Sequence, residues 1–583
     1  MKHEPLSLYG IKSLLADYPD QTFVNNLLGI VKYGAKIGYT GQLSKIRLRN
    51  HHTSFINAHV IDQAIAKELQ EGRIKRIPCL PFDKYICSPL GLVPKNADGI
   101  QTGWRLIFDL SAPSGKSVND GIPKEYGAII YESLQIAIQH VIKHGRGCKM
   151  IKRDLKSAFR HIPIAYSDYW LMIFEWNGQY YVDMCLPFGL RTAPRIFNMF
   201  AEAIHWILAT LHSWSVSHYL DDFFAAFSPE VDLNEKSAQF DQIIAQMGLK
   251  KAADKDEEGT TVTHLGFVID SDAMEVRLSQ NKRDRALNAI MTLTSNKSVT
   301  FKQIDELLGF LSHCCQVIPL GRPFLRTAFS LHRVTQRRHK ATRTRIPNKV
   351  KRDLNWWTTL LENWSSFSIA PHERRTYEIW TDASGNKGIG GWNKSELFST
   401  RIPARHRKKH INFKEMFAVL HAFILWHEQW HHGKVTLFCD NTNVVQGINK
   451  RSIRGPAIHP LQTILLIAAA FDIELTAVWI STHENAIADA ASRHDFRRLR
   501  KLGLSAQVDA LHQSTNDIHT STLRQKLLHF FTRSTNRDSQ AAFSNLSLAR
   551  SSLASVSFSL HLRQLNRLEG RDLQGCSGSS LRA

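Results

Sequence analysis

Two adjacent carboxylates, Asp221 and Asp222, lie between the apolar runs 216–220 and 223–227. Side-by-side acids at a tight turn repel each other, and a bound cation relieves that repulsion. Held at a rigid edge, such a pair suits a divalent metal that takes oxygen ligands. An isolated D-D pair reads more simply as a solvated turn, but here a third acid is in range. Asp154 ends the strand-like run that begins at Cys148, and LPFGLRTAPRIF (186–197) lies between the two sites as a glycine turn leading into a helix. Two strands bringing carboxylates to one edge, beside a positioned helix, supply the parts for two-metal phosphoryl transfer. One ion would lower the pKa of an attacking hydroxyl, and the other would hold a triphosphate and stabilise its leaving group.

A second set of acids follows. WTDASGNKGIGGW (380–392) places Asp382 before a glycine-rich turn, and NFKEMFAVLHAF (412–423) puts Glu415 on a helix with an apolar face. VTLFCDNTNVV (435–445) ends a strand at Asp440, and NAIADAASR (485–493) sets Asp489 on a helix. Each alone reads as a surface acid. Four at strand ends and helix faces form the ligand set of a two-metal hydrolytic site.

The elements that must hold these acids are legible in outline. A helix is expected over 60–70, ending at Gly72, then extended chain through Pro78, Pro81, Pro89 and Pro94, and strands over 104–110 and 148–155. The runs around Asp221 and Asp222 read as hairpin arms. Residues 276–345 turn helical: Thr300 to Gln303 has capping-box form, and Ile304, Leu307, Leu308 and Leu311 follow at helical spacing. From Arg333 to Arg352 there are nine Lys or Arg and no acid. The domain plan is 1–55 an N-terminal extension, 56–275 and 276–345 a first catalytic region with a helical portion, 346–375 a connection, 376–494 a second domain, and 495–583 a poorly ordered tail with one helix at 522–531.

The chain has 583 residues, with 74 basic against 52 acidic side chains and a net charge of +22. A hydrophobic share of 43% with 10% aromatics excludes a disordered chain. No apolar run reaches the roughly 18 residues of a membrane span, and Glu4 argues against a signal peptide. An intracellular protein without a membrane partner is expected, nuclear or cytoplasmic. The eight cysteines form no C-x-x-C pair, and His51, His52, Cys79 and Cys87 fit no common zinc spacing. The charge surplus points to a polyanionic partner, with a merely basic surface as the plainer alternative.

RDLKSAFRHIPI (153–164), LPFGLRTAPRIF, HYLDDFFAAF (218–227), the 248–255 segment and LGFVID (265–270) resemble reverse transcriptase motifs in their usual order, with GLVPK (91–95) and 104–123 similar to the fingers. Residues 376–494 resemble RNase H. The implied fold class is an α+β right-hand polymerase (fingers, palm, thumb) followed by an α/β RNase H-like domain. Asp154, Asp221 and Asp222 would hold one pair of Mg2+ ions, and Asp382, Glu415, Asp440 and Asp489 another, with Mn2+ as a substitute. Lys95 and Arg105 would contact the incoming dNTP triphosphate. Phe159 would bar a ribose 2'-hydroxyl, and Phe188 and Gly189 would line the nucleotide pocket. Lys255 is matched to the lysine that protonates pyrophosphate, in competition with Lys250 and Lys251.

The implied partners are an RNA template, a DNA primer, their RNA–DNA hybrid and dNTPs. Arg333, Arg337, Arg338, Lys340, Arg343 and Arg345 would grip the hybrid's phosphates, with Arg401, Arg405, Arg407, Lys408 and Lys409 as a second grip. Many RNase H relatives carry a His where Trp479 stands, ten residues before Asp489. NDGIPKEYGA (119–128) and 307–329 are most similar to DIRS-type retrotransposons, particularly fungal ones, which implies a separately encoded tyrosine recombinase. A decayed transposon remnant that only binds nucleic acid is the alternative.

Overall fold

The computed structural model describes residues 6–511, apart from 43, 82, 98, 99, 338–341, 364, 365 and 372. The chain divides into two compact units, 1–273 and 274–583. Among the described residues, no helix is long and apolar enough to cross a membrane. The helix expected at 522–531 lies outside the described residues.

The first unit opens with helices α1 (Leu8–Leu14) and α2 (Gln21–Tyr33), capped by the side chains of Ser7 and Asp20. A hairpin follows, β1 (Leu90–Ala97) and β2 (Ile100–Phe108), then α3 (Leu134–His144) and β3 (Lys149–Asp154). Helix α4 (Ala193–Trp206) leads into β4 (Ser215–Tyr219), β5 (Asp222–Phe227), α5 (Leu233–Met247) and β6 (Glu257–Gly259). These last strands form one antiparallel sheet in the order β6-β3-β5-β4. Helix α3 packs on β4 and β5, and α4 packs on β4. Phe197, Phe200, Phe223 and Phe240 are buried in the resulting core. Covering by helices explains why β5 reads as an unbroken apolar run rather than an alternating one. A separate five-stranded sheet contains the strands Ile74–Ile77, Ile173–Trp176 and Gln179–Asp183.

The N-terminal region is no appendage. Leu6, Ile11, Leu15, Val24 and Leu27 are buried in this same core. The Ser7 amide donates to the Met247 carbonyl at 2.9 Å. A Cβ on Gly10 would come within 1.9 Å of the Gln246 carbonyl oxygen, so only glycine permits α1 to lie this close to the end of α5.

The second unit begins with helices α6 (Gln280–Ser295), α7 (Phe301–Cys314), α8 (Arg326–Gln336) and α9 (Asn348–Asn363). The capping box at Thr300 and Gln303 is formed. Helix α9 packs on α6 and α8 and buries Trp357. Of the stretch 346–375, expected as a connection, residues 348–363 are therefore part of the helical bundle, and Ser366–Ser368 form a strand that pairs with Glu275–Leu278. The later part is a five-stranded sheet of β7 (Thr376–Ala383), β8 (Gly388–Trp392), β9 (Leu397–Arg401), β10 (Lys434–Cys439) and β11 (Glu474–Trp479), in the order β9-β8-β7-β10-β11. Strand β10 runs parallel to both β7 and β11. Helix α10 (Ile411–Trp426) packs on α11 (Thr442–Asn449) and α12 (Ile458–Ala470), and α13 (Ala486–Ser492) lies on β7 and β8. At Gly390 a Cβ would meet the Ser492 amide nitrogen at 2.4 Å, so the glycines of β8 let α13 approach the sheet.

The expected tail also requires correction. Residues 496–509 form α14 (Phe496–Lys501) and α15 (Ser505–Asp509), whose Leu499, Leu504 and Val508 pack against Ala490 and Ala491 of α13. The second domain thus extends past 494.

Candidate active sites

Strand register brings the first three acids together. Asp154, the last residue of β3, is the cross-strand partner of Asp222, the first of β5, and Asp221 occupies the turn just before it. The Leu155 amide donates to the Asp221 carbonyl at 3.0 Å, which ties the turn to the end of β3. Leu220 has φ of 55° and Ser157 has φ of 53°, so a non-glycine residue in the left-handed region flanks each side of the site.

The electrostatics fit a cation. Burial, followed by the charge of Asp154, raises the Asp221 carboxyl to about 6. Asp222 Oδ1 is buried without a hydrogen-bond partner among the described residues, and its Oδ2 lies 3.7 Å from His264 Nδ1. Lys255 Nζ donates to Asp154 Oδ1 at 3.0 Å. Of the three competing lysines, Lys255 therefore reaches the acids, whereas Lys251 pairs with Asp241 and Asp256. His264 carried no signal in the sequence, being adjacent to the acids only through the fold.

The nucleotide-pocket candidates are partly gathered. Phe159 and Phe188 have ring centroids 5.3 Å apart, with Phe188 exposed. Phe159 also meets Phe197 of α4. Gly189 takes φ of 93°, a turn conformation that favours glycine, and its carbonyl accepts from Asn119 Nδ2 at 2.9 Å. The same Asn119 accepts from the Arg191 amide at 2.8 Å, so this buried amide fixes the turn that carries Phe188 and Gly189. Asn119 carries no motif signal of its own in the sequence. Lys95 and Arg105 are exposed on the β1–β2 hairpin. Val93 pairs with Arg105, so period-two alternation puts Lys95 and Arg105 on one face. Neither is ion-paired to another described residue.

In the second unit, Asp382 lies in β7, Glu415 on α10, Asp440 just after β10 and Asp489 on α13. Asp382, Glu415 and Asp489 are buried. Glu415, Cys439 and Asp440 offer ligand atoms within 4.8 Å of one another. Burial, and then the charges of Asp382 and Asp440, pushes the Glu415 carboxyl well above its usual range, and its Oε2 has no hydrogen-bond partner among the described residues. Asp382 is raised to about 6, mostly by burial, with the Ser492 hydroxyl opposing and Asp440 and Asp489 adding to the shift. Mutually repelling buried acids with an orphaned oxygen are the donor set that hard divalent ions take.

Four further side chains support these acids, and of them only Trp479 is singled out in the sequence. Asp489 accepts from Arg493 Nε at 2.6 Å and Arg498 Nη1 at 2.8 Å, and Arg498 belongs to the segment expected as tail. Thr482 Oγ1 donates to Asp440 Oδ2 at 2.8 Å. The exposed Trp479 donates its indole N–H to the Asp440 carbonyl at 3.0 Å, so the residue at the usual His position braces the backbone there.

Of the basic candidates, Arg333, Arg337 and Arg345 are exposed. Arg343 is also exposed but bonded to Ser298. Arg338 and Lys340 lie outside the described residues. Arg401, Arg405, Arg407, Lys408 and Lys409 all precede α10, and all five are exposed.

Residues 93–269 match the family model described as reverse transcriptase (RNA-dependent DNA polymerase). Over 260 residues the chain is 25% identical to the retrovirus-related Pol polyprotein from transposon opus of Drosophila melanogaster, covering 43% of this chain and 23% of that one. It is 23% identical over 544 residues to the putative enzymatic polyprotein of Cassava vein mosaic virus, covering 84% and 75%. Among solved structures it is similar to the foamy viral protease-reverse transcriptase in complex with RNA/DNA hybrid, at 17% identity and a TM-score of 0.47, covering 80% of this chain and 62% of that one.

Proposed function

From the premise that residues 93–269 are a reverse transcriptase domain, we propose that the chain is an RNA-directed DNA polymerase that also cleaves RNA in an RNA–DNA hybrid. The observation that carries the reading is the Asp154–Asp222 cross-strand pair with Asp221 in the adjoining turn, inside that matched segment. Asp154, Asp221 and Asp222 would hold divalent ions, Mg2+ by preference, and Asp382, Glu415, Asp440 and Asp489 a second set. Such ions supply charge neutralisation at the phosphate and a more acidic attacking hydroxyl or water.

The chain's own residues do the rest. Phe159 and Phe188 shape the nucleotide pocket, and Phe159 favours dNTPs by crowding the ribose 2' position. Lys95 and Arg105 present cations to a triphosphate, and Lys255 holds a proton within reach of Asp154. In the second unit, Thr482 and Trp479 brace Asp440, while the cations ahead of α10 meet the hybrid's phosphates. The similarity of 119–128 and 307–329 to DIRS-type elements supports a retrotransposon source and a separately encoded tyrosine recombinase.

Primer extension on an RNA template with dNTPs and Mg2+ tests the first activity, and release of fragments from an end-labelled hybrid tests the second. Wild type should extend and cleave. Extension no better than that of Asp221→Asn would sink the polymerase reading, and hybrid binding with no turnover at either site would favour the decayed remnant.

A further inference from the structure

Away from both acidic clusters, the first unit holds a group of ligating side chains that neither proposed activity uses. Glu132 lies just before α3, His205 near the end of α4, and His218 on β4. Their ligand atoms lie within 4.8 Å of one another. His205 Nδ1 and His218 Nδ1 face each other at 3.0 Å. Glu132 Oε1 is 3.8 Å from the first, and Glu132 Oε2 is 4.0 Å from the second. Ligand atoms around a tetrahedral zinc, at about 2.0–2.1 Å from the metal, are about 3.3 Å apart. The three observed separations bracket that figure.

The surroundings are consistent with a built site. The His218 amide donates to Glu132 Oε2 at 2.7 Å, fixing the carboxylate beside the two rings. His218 is also stacked on Phe223, so its ring is held in place. Two facing Nδ1 atoms share at most one proton between neutral rings, and a cation can take that proton's place. A cavity of about 470 Å³ opens beside the three residues, lined also by Asn198, Glu202 and Tyr131.

We propose that Glu132, His205 and His218 form a binding site for a zinc-class divalent cation, with its fourth position open to this cavity. Two imidazoles and one carboxylate select late first-row metals over Mg2+, so the site is chemically distinct from the all-carboxylate clusters. Its role is that of a cross-link. The cation joins β4, which runs directly into the Asp221 turn, to α4 and to the segment entering α3. It therefore fixes the hairpin from behind without touching its acids.

The test uses the full chain freed of metal by chelation and dialysis, titrated with Co2+ and then with Zn2+. Wild type and Asp221→Asn should each take up one Co2+ with the visible bands of four-coordinate nitrogen and oxygen ligation, and Zn2+ should abolish those bands. His205→Gln should lose the bands. Glu132→Gln, which keeps an acceptor for the His218 amide, should weaken binding by at least the roughly 10–100-fold that loss of an outer-shell partner costs. Far-UV circular dichroism confirms that each variant is folded. No band in wild type, or unchanged bands in folded His205→Gln and Glu132→Gln, would overturn the site. Because Co2+ uptake is read without turnover, the result stands apart from the outcome of primer extension.

Discussion

Asp154, Asp221 and Asp222 come from two adjacent strands and the turn between β4 and β5, whereas Asp382, Glu415, Asp440 and Asp489 come from two strand ends and two helices. The first cluster lies at a sheet edge, where Asp154 is balanced by the exposed Lys255. The second is sunk beneath α10 and α13, with Glu415 4% exposed and Asp489 held by two arginines. Both concentrate negative charge that the metal-free fold cannot fully neutralise. The difference is one of depth: the edge cluster sheds part of its repulsion into water, and the buried one stores it.

The sharpest way to break this comparison is to remove one acid from each cluster. Asp221→Asn should lower extension by about 1,000-fold, equivalent to about 4 kcal/mol, with hybrid cleavage intact, and Asp382→Asn should do the reverse. Loss of both activities in either variant would contradict two independent sites. Chemical denaturation in chelator probes the depth difference next. The Asp382 carboxyl is raised from 3.8 to about 6, so the fold binds a proton that the unfolded chain releases between those values. Stability should therefore fall as pH rises from 3.8 to about 6 on account of Asp382, and Glu415, whose carboxyl is pushed well above its usual range, should carry the fall further. At pH 7, Asp382→Asn should stabilise the metal-free protein by up to about 3 kcal/mol. The more exposed Asp221→Asn should give less, and a larger effect at Asp221 would reverse the ranking.

Smaller effects concern the cations. Neutralising Arg407, Lys408 and Lys409 together should weaken hybrid binding and flatten its salt dependence by about 0.9 for each phosphate no longer neutralised, measured by fluorescence anisotropy across a salt series. The smallest effect belongs to Lys255→Gln and Arg498→Gln. Each removes a solvent-exposed cation that a metal must displace, and ion pairs screened in this way are worth about 0.2–1 kcal/mol. Divalent affinity should tighten by no more than about fivefold in each, as read by calorimetry.

The edge cluster was legible because each of its parts is local, the two-acid turn between apolar arms and the strand ending at Asp154, although the two pair only through the fold. The four buried acids were legible as motifs, but their supports were not. Arg498 and Thr482 reach their carboxylates across the packed domain, and nothing in the spacing of RLR at 498–500 or STH at 481–483 marks that approach. The same limit hid the docking of the N-terminal helices. Short helical patterns are present there, but the docking of α1 depends on α5, which lies more than two hundred residues later in the chain. His205 and His218 meet only because α4 packs on β4.

That N-terminal arrangement sets an order of events during synthesis. The Ser7 amide finds its partner only once the Met247 carbonyl exists, and Gly10 fits only against the finished end of α5. Residues 6–15 are thus made well before they can be seated, with Leu6, Ile11 and Leu15 unshielded in the interval. Closure of so long a chain segment is slow relative to local pairing. Removal of residues 6–33 should accordingly leave the hairpin that carries Asp221 on an open core, which would show as dye-binding apolar surface.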